Sequence, residues 1–449
     1  MIALLLIWLA LTIALVLLVM RQGRRGGALT LSYWISLSLI HAPGALVYLD
    51  STVSPVGFEE TYLGFQITVV GLAMFLAGAA VAPLINNRGA NAAGGGRVLS
   101  GTAWLDRAGL RFLISGSVVF LVVLPIAAVV PSINSILSAF VGLLVLGIWL
   151  RLYSAVVRSD GLRVLSTLAL LPLFPVATMI SGGFLGFGVQ WILSAVSFLF
   201  VIARRRIFFV LLAPLVVYIG LSFFVAYMGE RNAIRDAVWY EQSGIGDRLD
   251  RIAAITTNFR LLDLADPAHI DAVDGRLNQN VLVGAAAARL QDGAVELAYG
   301  GTVPWWALIP RAIWPGKPEV GGGRGVVTDF TGIPFAEGTS VGAGQVLEFY
   351  VNFGWIGVLA GFFVFGLLLM YLDHGIMRAM SGGDMRGLLL RALPGLTLIQ
   401  PGGNLLEILV SAVAALIAAH LILFIERKLD PPAAAIAQTA IGRRGIARL

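Results

Sequence analysis

The sequence predicts an all-α protein that crosses a membrane many times. Of its 449 residues, 58% are hydrophobic and only 12% are charged, and the mean hydropathy is +0.88. A water-soluble domain of this length does not tolerate such a composition. Apolar runs long enough to cross a hydrocarbon core of about 30 Å as helices recur along the chain. The expected fold class is therefore a polytopic helical membrane protein.

Eleven apolar runs are predicted to be transmembrane helices. The first is not preceded by a basic residue or followed by a small-residue cleavage site, so we expect an uncleaved span and not a signal peptide. In chain order, the runs cover residues 1–20, 29–49, 63–85, 110–130, 133–151, 163–180, 184–203, 207–228, 345–372, 387–400 and 404–425.

These spans divide the chain into four parts. Residues 1–228 form a bundle of eight spans, and residues 345–425 form a bundle of three. Between the bundles lie residues 229–344, which we call the long connection, and residues 426–449 form a tail. The long connection is the only stretch outside the spans that is large enough to build a site in water.

Basic residues are distributed unevenly over the connections between spans. Ten of the 31 lie in the long connection, and the others lie on or flank alternate connections or lie in the tail. Short connections rich in Arg and Lys mark the cytoplasmic side of a membrane, whereas long translocated domains escape this rule. We therefore expect the N-terminus and the long connection outside the cytoplasm, and the C-terminus inside it.

The long connection has a mixed charge and only partly regular structure. It carries fourteen acidic and ten basic residues, so it is not a polybasic surface for nucleic acid. Apolar residues recur every three or four positions in "DRLDRIAAITTNFRLL", residues 247–262, which predicts an amphipathic helix against the spans or the lipid surface. "RLNQNVLVGAAAARL" predicts a second helix, and residues 300–344 are too rich in Gly and Pro for a regular element.

Three motifs resemble a known family. "GRLNQN", "YGGTVPWWALIPRAIWPGKP" and "TSVGAGQVLEFYVNFGWIGVLAGFFVFG" follow one another within residues 225–370. In this order they resemble the outer loop and following span of the bacterial O-antigen polymerases, the Wzy-type oligosaccharide repeat-unit polymerases. Outside residues 225–370 the resemblance is limited to the pattern of spans.

This resemblance implies a reaction, a location and partners. The family transfers a growing glycan from undecaprenyl diphosphate onto a new lipid-linked repeat unit, on the periplasmic side of the bacterial inner membrane. The fold would be similar to that of the GT-C-like membrane glycosyltransferases that use lipid-phosphate donors. The implied partners are the undecaprenyl-diphosphate-linked oligosaccharide, membrane lipids, a chain-length regulator and a flippase. O-antigen, capsule and exopolysaccharide remain open as products.

Basic residues of the long connection suit the chemistry of a lipid diphosphate. As the anomeric bond breaks, the leaving diphosphate gains negative charge, which positioned cations stabilise without proton transfer. Arg311 and Lys317 bracket a proline-rich turn that could direct both cations to one place, with Arg311 in the catalytic role. Trp314 between them could stack on a sugar. The alternative is that both cations bind lipid headgroups or pair with carboxylates of the connection.

Four further arginines are candidates for substrate binding. Arg231 and Arg235 lie one helical turn apart, on one face if the eighth span continues beyond the membrane. Local ion pairs with the acidic residues next to them are the alternative. Arg276, in "GRLNQN", is expected beside the start of a helix. Arg324, in "GGGRG", is expected on a mobile loop tip.

A general base is also required, because the acceptor hydroxyl loses a proton as it attacks the anomeric carbon. Glu348 and Glu407 are carboxylates near span ends in otherwise apolar sequence, where an ionisable group is costly and usually functional. Glu348 is the preferred candidate, with Tyr350 and Asn352 as substrate contacts, and Asn352 on the same helical face. An ion pair between Glu348 and an arginine of the long connection is the structural alternative.

Several other chemistries have little support in the sequence. The absence of cysteine excludes disulfides, thiolate metal sites and a cysteine nucleophile. His269 has no second histidine at ligand spacing, and the aspartates around it are interpreted as a solvated acidic turn, so we predict neither a metal nor a cofactor. SxxK and HExxH motifs do not occur.

Two other functions remain as alternatives. A transporter or flippase of lipid-linked glycan is expected to carry charges or broken helices near the membrane midplane, often in repeated halves, and the sequence has no matching halves. An O-antigen ligase would share the topology and the outer arginines but would transfer the glycan to a lipid A core.

Overall fold

We analysed a computed structural model of the chain. It describes residues 1–49, 57–90, 103–127, 131–239, 244–304, 306, 309, 313–317, 323–335, 339 and 341–429. All regular structure in these residues is helical, in agreement with the predicted class.

Seventeen α-helices follow one another in the described chain. The helices before the long connection are α1 (Ile2–Gln22), α2 (Ala28–Val47), α3 (Phe58–Ala90), α4 (Ala103–Val118), α5 (Leu124–Ala127), α6 (Pro131–Val157), α7 (Gly161–Leu168), α8 (Leu173–Gly182), α9 (Gly186–Ile202) and α10 (Ile207–Trp239). The remaining helices are α11 (Ile245–Thr257), α12 (Pro267–Leu277), α13 (Asn280–Gln291), α14 (Gly323–Thr331), α15 (Gln345–Gly382), α16 (Met385–Leu398) and α17 (Leu405–Leu429).

Eight helical stretches of the described chain are long and apolar enough to cross a membrane. They are α1, α3, α4 with α5, α6, α7 with α8, α10, α15 and α17. Helices α2, α9 and α16 coincide with the other three predicted spans. Helix α9 has 17 residues and α16 has 14, so at 1.5 Å per residue both are shorter than a hydrocarbon core of about 30 Å. The count of eleven spans stays a prediction.

Helices α3 and α15 form the central pair of the bundle, and glycines let their backbones touch. A Cβ added to Gly78 would lie 1.9 Å from the carbonyl oxygen of Phe363, and one added to Gly366 would lie 2.0 Å from that of Phe75. Small residues at such crossings are the usual means of close helix packing in membranes. A larger side chain at either glycine would push the two helices apart.

Helix α15 is broken near its start. Phe353 and Gly354 leave helical geometry, and Gly354 has a φ of 57°, a conformation that glycine adopts at little cost. The ring of Phe349 nevertheless lies 5.3 Å from that of Phe362, whereas thirteen residues of straight helix would separate them by about 20 Å. Residues Gln345–Asn352 therefore fold back on the rest of α15, and we call them the short arm. The candidate span Gln345–Gly382 begins where the sequence predicted it and ends ten residues later than the predicted 372.

The long connection differs from its predicted structure in three places. Helix α11 ends at Thr257 and does not reach residue 262, because the N–H of Leu262 binds the hydroxyl of Ser222 at 2.9 Å instead of continuing the helix. The second predicted helix is two helices that meet at Asn278 and Gln279. Helix α14 forms where no regular element was expected, since Val327 on its inner face is fully buried.

Candidate functional site

The carboxylate of Glu348 lies inside the protein, in the first turn of the short arm. Only 1% of the residue is exposed. Its Oε2 accepts the backbone N–H of Leu405, the first residue of α17. A helix N-terminus leaves N–H groups unpaired and carries a partial positive charge. Glu348 therefore caps α17 from another helix and holds the start of that helix against the short arm.

The other oxygen of the same carboxylate is open. Oε1 of Glu348 is buried and has no hydrogen-bond partner among the described residues. An unpaired buried polar atom costs about 1–3 kcal/mol, so Oε1 can gain from one further hydrogen bond. No arginine or lysine in the described part of the chain forms an ion pair with Glu348.

Asn352 connects the short arm to the long connection. Its Nδ2 donates to the carbonyl oxygen of Glu348 at 2.7 Å and to the hydroxyl of Thr302 at 2.7 Å. Its Oδ1 accepts the N–H of Gly300 at 2.8 Å. The Thr302 hydroxyl in turn lies beside the Glu348 carboxylate. Asn352 shares a face with Glu348 as predicted, and in this structure it positions Thr302 and is not presented to a sugar.

The break in α15 frees backbone carbonyl groups, which the long connection occupies. The carbonyl oxygens of Val351 and Asn352 accept the N–H groups of Ala298 and Tyr299 at 2.9 and 3.1 Å. These two hydrogen bonds attach the long connection to the broken part of α15.

Glu407 has a different environment from Glu348. It is exposed, and its Oε1 accepts Nδ2 of Asn404 at 3.0 Å. Oδ1 of Asn404 accepts the N–H of Ala343 at 2.8 Å. Glu407 thus helps to hold the side chain that joins the start of α17 to the segment before the short arm.

Three arginines cluster at the end of α10. Arg231, Arg235 and Arg276 lie close enough for their charges to repel one another. Helix α10 continues without a break to Trp239, so Arg231 and Arg235 lie on its last turns as predicted. None of the three forms an ion pair with a described residue. We call these residues the arginine cluster.

In the described chain, the arginine cluster contacts aromatic rings and an amide oxygen and forms no ion pair. The guanidinium of Arg235 lies 4.8 Å from the ring centre of Phe184 and 4.9 Å from that of Trp239, and its Nε is buried without a partner in the described chain. Glu230, the acidic neighbour that could have paired with Arg231, instead accepts Nδ2 of Asn258 at 3.0 Å. Like charges held together without a carboxylate favour an anionic ligand.

A short segment places the arginine cluster and Glu348 at the same end of the bundle. Arg276 precedes Gln279 by three residues, which separates their Cα atoms by at most about 11 Å. A Cβ on Gly344 would lie 2.5 Å from Oε1 of Gln279, and Gly402 lies near the same side chain. The carbonyl oxygen of Gly344 accepts the N–H of Glu348 at 3.1 Å.

A buried polar network fixes the "GRLNQN" motif to the spans. Asn280 donates to the carbonyl oxygen of His41 at 2.7 Å, and its Oδ1 lies 2.7 Å from Nδ1 of the same residue. Nδ2 of Asn278 lies 3.0 Å from the Thr61 hydroxyl and 2.7 Å from Asp274 Oδ1. His41 was not recognised as part of a network from the sequence, because its partners are far away in the chain.

The other predicted site residues are placed differently. Lys317 Nζ donates to the carbonyl oxygen of Ile309 at 2.8 Å, so it ties its own loop together, and Trp314 beside it is exposed. Arg311 lies outside the described residues. Tyr350 is buried and packs against Trp355, with ring centres 5.7 Å apart.

Arg324 is not on a mobile loop tip. Gly323, Arg324 and Gly325 belong to α14, and only Gly321 and Gly322 of "GGGRG" lie outside the described residues. Gly323 is buried so tightly that a Cβ there would lie 2.6 Å from Oδ1 of Asn404. Arg324 is therefore an exposed cation one residue away from the contacts that hold the start of α17.

A second buried carboxylate was missed by the sequence analysis. Asp373, near the other end of α15, is 1% exposed. Its Oδ1 accepts the N–H of Leu29 at 2.9 Å, and its Oδ2 accepts the N–H and hydroxyl of Thr30 at 3.0 and 2.8 Å. In the sequence, Asp373 directly follows an apolar run, in "MYLDHG". An acidic residue at the end of a span commonly has the same position, so the sequence alone does not reveal its burial.

Comparison of the chain with protein-family models, curated proteins and solved structures returned no match. Among the described residues, no group of three or more His, Asp and Glu could hold a metal ion. The candidate site is thus defined by its own chemistry, which is a buried carboxylate with one open oxygen and three clustered arginines at the same end of a helical bundle.

Proposed function

We propose that this protein is a membrane glycosyltransferase that polymerises oligosaccharide repeat units carried on undecaprenyl diphosphate, on the periplasmic side of the bacterial inner membrane. The arginine cluster is the observation that carries the proposal. Three cations without a described acidic partner, at the end of an apolar helix, suit the diphosphate of a membrane-bound donor. The motif resemblance at residues 225–370 supports the same substrate.

The proposed reaction is a displacement at the anomeric carbon of the donor. A hydroxyl oxygen of the acceptor sugar forms the new bond as the bond to the diphosphate oxygen breaks, with inversion at that carbon. The leaving lipid diphosphate takes the electron pair, and the arginine cluster stabilises its charge. The proton of the hydroxyl passes to Oε1 of Glu348, which is open to one further hydrogen bond.

For a hydroxyl to reach Oε1, the residues that cover it have to move. Thr302 and Asn404, next to the carboxylate, are each 6% exposed. Catalytic hydrogen bonds often form only in the complex with substrate, and closure around a substrate is a common conformational step. We propose that these residues move apart when an acceptor binds.

The arginine cluster provides the first test. Replacing Arg231 and Arg235 by alanine removes two charge-assisted contacts, each worth about 1.5–3 kcal/mol. We expect undecaprenyl-diphosphate oligosaccharide to bind at least about tenfold more weakly for each, and chain extension to fall in parallel. The measurements are donor binding and product length with purified protein in nanodiscs.

Two controls make this test specific. Arg260→Ala removes an exposed arginine of the same connection and should leave binding unchanged. Arg235→Lys keeps the charge near Phe184 and Trp239 but loses the planar guanidinium, so it should show an intermediate loss. Donor binding that survives in the double variant would refute diphosphate recognition by this cluster. A product found on lipid A core and not on a lipid-linked repeat unit would identify a ligase.

A further inference from the structure

In the described part of the chain, every residue of one stretch of α10 is exposed. Residues 210–220, which we call the free stretch, are all exposed, and the exposed fractions of their large apolar side chains run from 39% at Val210 to 70% at Leu211. Eleven residues make about three helical turns and so include every face of the helix. A transmembrane helix in a bundle normally presents at least one face to its neighbours.

Both ends of the free stretch are attached to the protein. At one end, the ring of Phe209 lies 6.1 Å from that of Phe200 in an edge-to-face contact. At the other end, the hydroxyl of Tyr218 donates to the carbonyl oxygen of Leu262 at 3.0 Å, and Val225 is buried among residues of α2 and α12. The free stretch is therefore attached to the rest of the protein at both ends and is exposed between these points.

The apolar side chains of the free stretch, and the arginines at the end of the same helix, indicate what surrounds it. In a bilayer, an apolar helix gains little from contact with one hydrocarbon chain over another, because lipid tails are as apolar as leucine. Selection of a particular lipid has to come from its headgroup. Helix α10 provides this selection, since the same continuous helix ends in Arg231 and Arg235 with Arg276 beside them.

We propose that the space around the free stretch is a lateral entry for the hydrocarbon chain of a lipid whose anionic diphosphate headgroup binds the arginine cluster. The diphosphate headgroup determines which lipid is bound, and the exposed surface of the free stretch leaves its hydrocarbon chain a path from the bilayer. Pro214 removes one backbone hydrogen bond within the free stretch, and Gly220 has no atom within 4 Å of the position a Cβ would take. Both features make it easier for α10 to bend aside as a chain enters.

This proposal deepens the proposed function, because it assigns the chain of the same donor. It predicts where the chain lies, and it does not require the free stretch to add affinity. Substitutions there should therefore leave headgroup affinity nearly unchanged in a membrane, whereas a chemical probe placed there should find the chain.

The absence of native cysteine allows the test with a single label in the full-length protein. Leu215→Cys carries a benzophenone maleimide on the free stretch, and Ile13→Cys carries it at an exposed position of α1. The two positions lie at similar distances along their helices from Arg206 and Arg21. Radiolabelled undecaprenyl diphosphate is the probe, in vesicles of phosphatidylethanolamine and phosphatidylglycerol.

We expect a covalent adduct at residue 215 that is several times stronger than at residue 13. Unlabelled undecaprenyl diphosphate and an excess of inorganic diphosphate should both suppress it, and additional phosphatidylglycerol should not. Adding Arg231→Ala and Arg235→Ala to the Leu215→Cys protein should lower the adduct at least about tenfold, because the headgroup would lose its charge-assisted contacts.

Four results would overturn the proposal. Equal adducts at the two positions, or competition by phosphatidylglycerol, would mean that ordinary lipid surrounds α10. A protein-to-protein adduct at residue 215 would mean that another transmembrane helix packs there. Normal chain extension without an adduct at residue 215 would refute the entry path alone, whereas a specific adduct without chain extension would leave the lipid site intact and refute the proposed polymerase.

Discussion

The two ends of α15 each carry a buried carboxylate that binds the N-terminus of another helix. Glu348 receives the N–H of Leu405 at the start of α17, and Asp373 receives the N–H groups of Leu29 and Thr30 at the start of α2. Both residues are 1% exposed. They differ in how far their hydrogen-bonding capacity is used.

Asp373 is fully occupied, and Glu348 is not. Each oxygen of Asp373 has at least one donor, including the hydroxyl of Thr30 at 2.8 Å. Oε1 of Glu348 has no donor at normal hydrogen-bond geometry in the described chain, although the Thr302 hydroxyl lies beside the carboxylate. A carboxylate that only caps a helix gains from filling both oxygens, because an unpaired buried acceptor is costly. The difference indicates that Asp373 has a structural role, and that Glu348 keeps one oxygen available for something else.

Glu348→Gln should give the largest effect on activity. The amide oxygen can still accept the N–H of Leu405, so the fold should be retained, but the side chain can no longer take a proton. Turnover in chain extension should fall by roughly 10²–10⁴-fold while the donor still binds. Rate and donor binding are measured on the same purified sample.

Glu407→Gln is the matched control for that variant. Glu407 is an exposed carboxylate at the start of α17, so its replacement should change turnover little. If Glu348→Gln turns over normally, Glu348 is only a helix cap. If it reduces folded yield before it reduces turnover, the open oxygen has a structural partner.

Asp373→Asn should reduce stability and spare the chemistry. The amide NH₂ would face backbone N–H groups of α2 that now donate to a carboxylate, which leaves at least one buried donor unpaired at a cost of about 1–3 kcal/mol. We expect a lower thermal unfolding midpoint in detergent and an unchanged turnover per folded molecule.

Asp384→Asn, directly after the end of α15, provides the comparison. Asp384 caps α16 through the N–H of Gly387 at 2.8 Å, and asparagine caps helices nearly as well as aspartate. This variant should therefore unfold close to the wild-type temperature. A loss of turnover in folded Asp373→Asn protein would contradict the structural role of Asp373 and remove the contrast with Glu348.

The sequence predicted parts of this arrangement that depend on local pattern. Helical spacing placed Glu348 and Asn352 on one face, and continuation of α10 placed Arg231 and Arg235 together. The fold-back at Phe353 and Gly354 was not predicted, because it depends on pairing with Ala298 and Tyr299, about fifty residues earlier in the chain.

Asp373 escaped prediction for a similar reason. Its burial depends on the turn between α1 and α2, where a Cβ on Gly26 would lie 2.9 Å from the Asp373 backbone. Nothing in the sequence around Asp373 shows that a glycine turn more than three hundred residues earlier packs on it. Thr302 was missed likewise, since only the folded chain brings its hydroxyl next to Glu348.

Thr302→Val should give the smallest effect and sharpens the interpretation of Glu348. Valine fills the same space without the hydroxyl that lies beside the Glu348 carboxylate. Asn352 keeps its bonds to the carbonyl oxygen of Glu348 and to the N–H of Gly300, so the short arm should stay in place. If the hydroxyl orients a carboxylate that takes a proton, turnover should fall by about three- to tenfold, the equivalent of one hydrogen bond of ~1 kcal/mol. Thr302→Ser keeps the hydroxyl and should restore most of the rate, although it removes a methyl group from the packing. The decisive measurement is therefore the turnover of the valine and serine variants at equal folded amounts and saturating donor. Equal rates for both variants would show that the hydroxyl only pairs with Asn352, and a loss in the serine variant alone would assign the effect to packing.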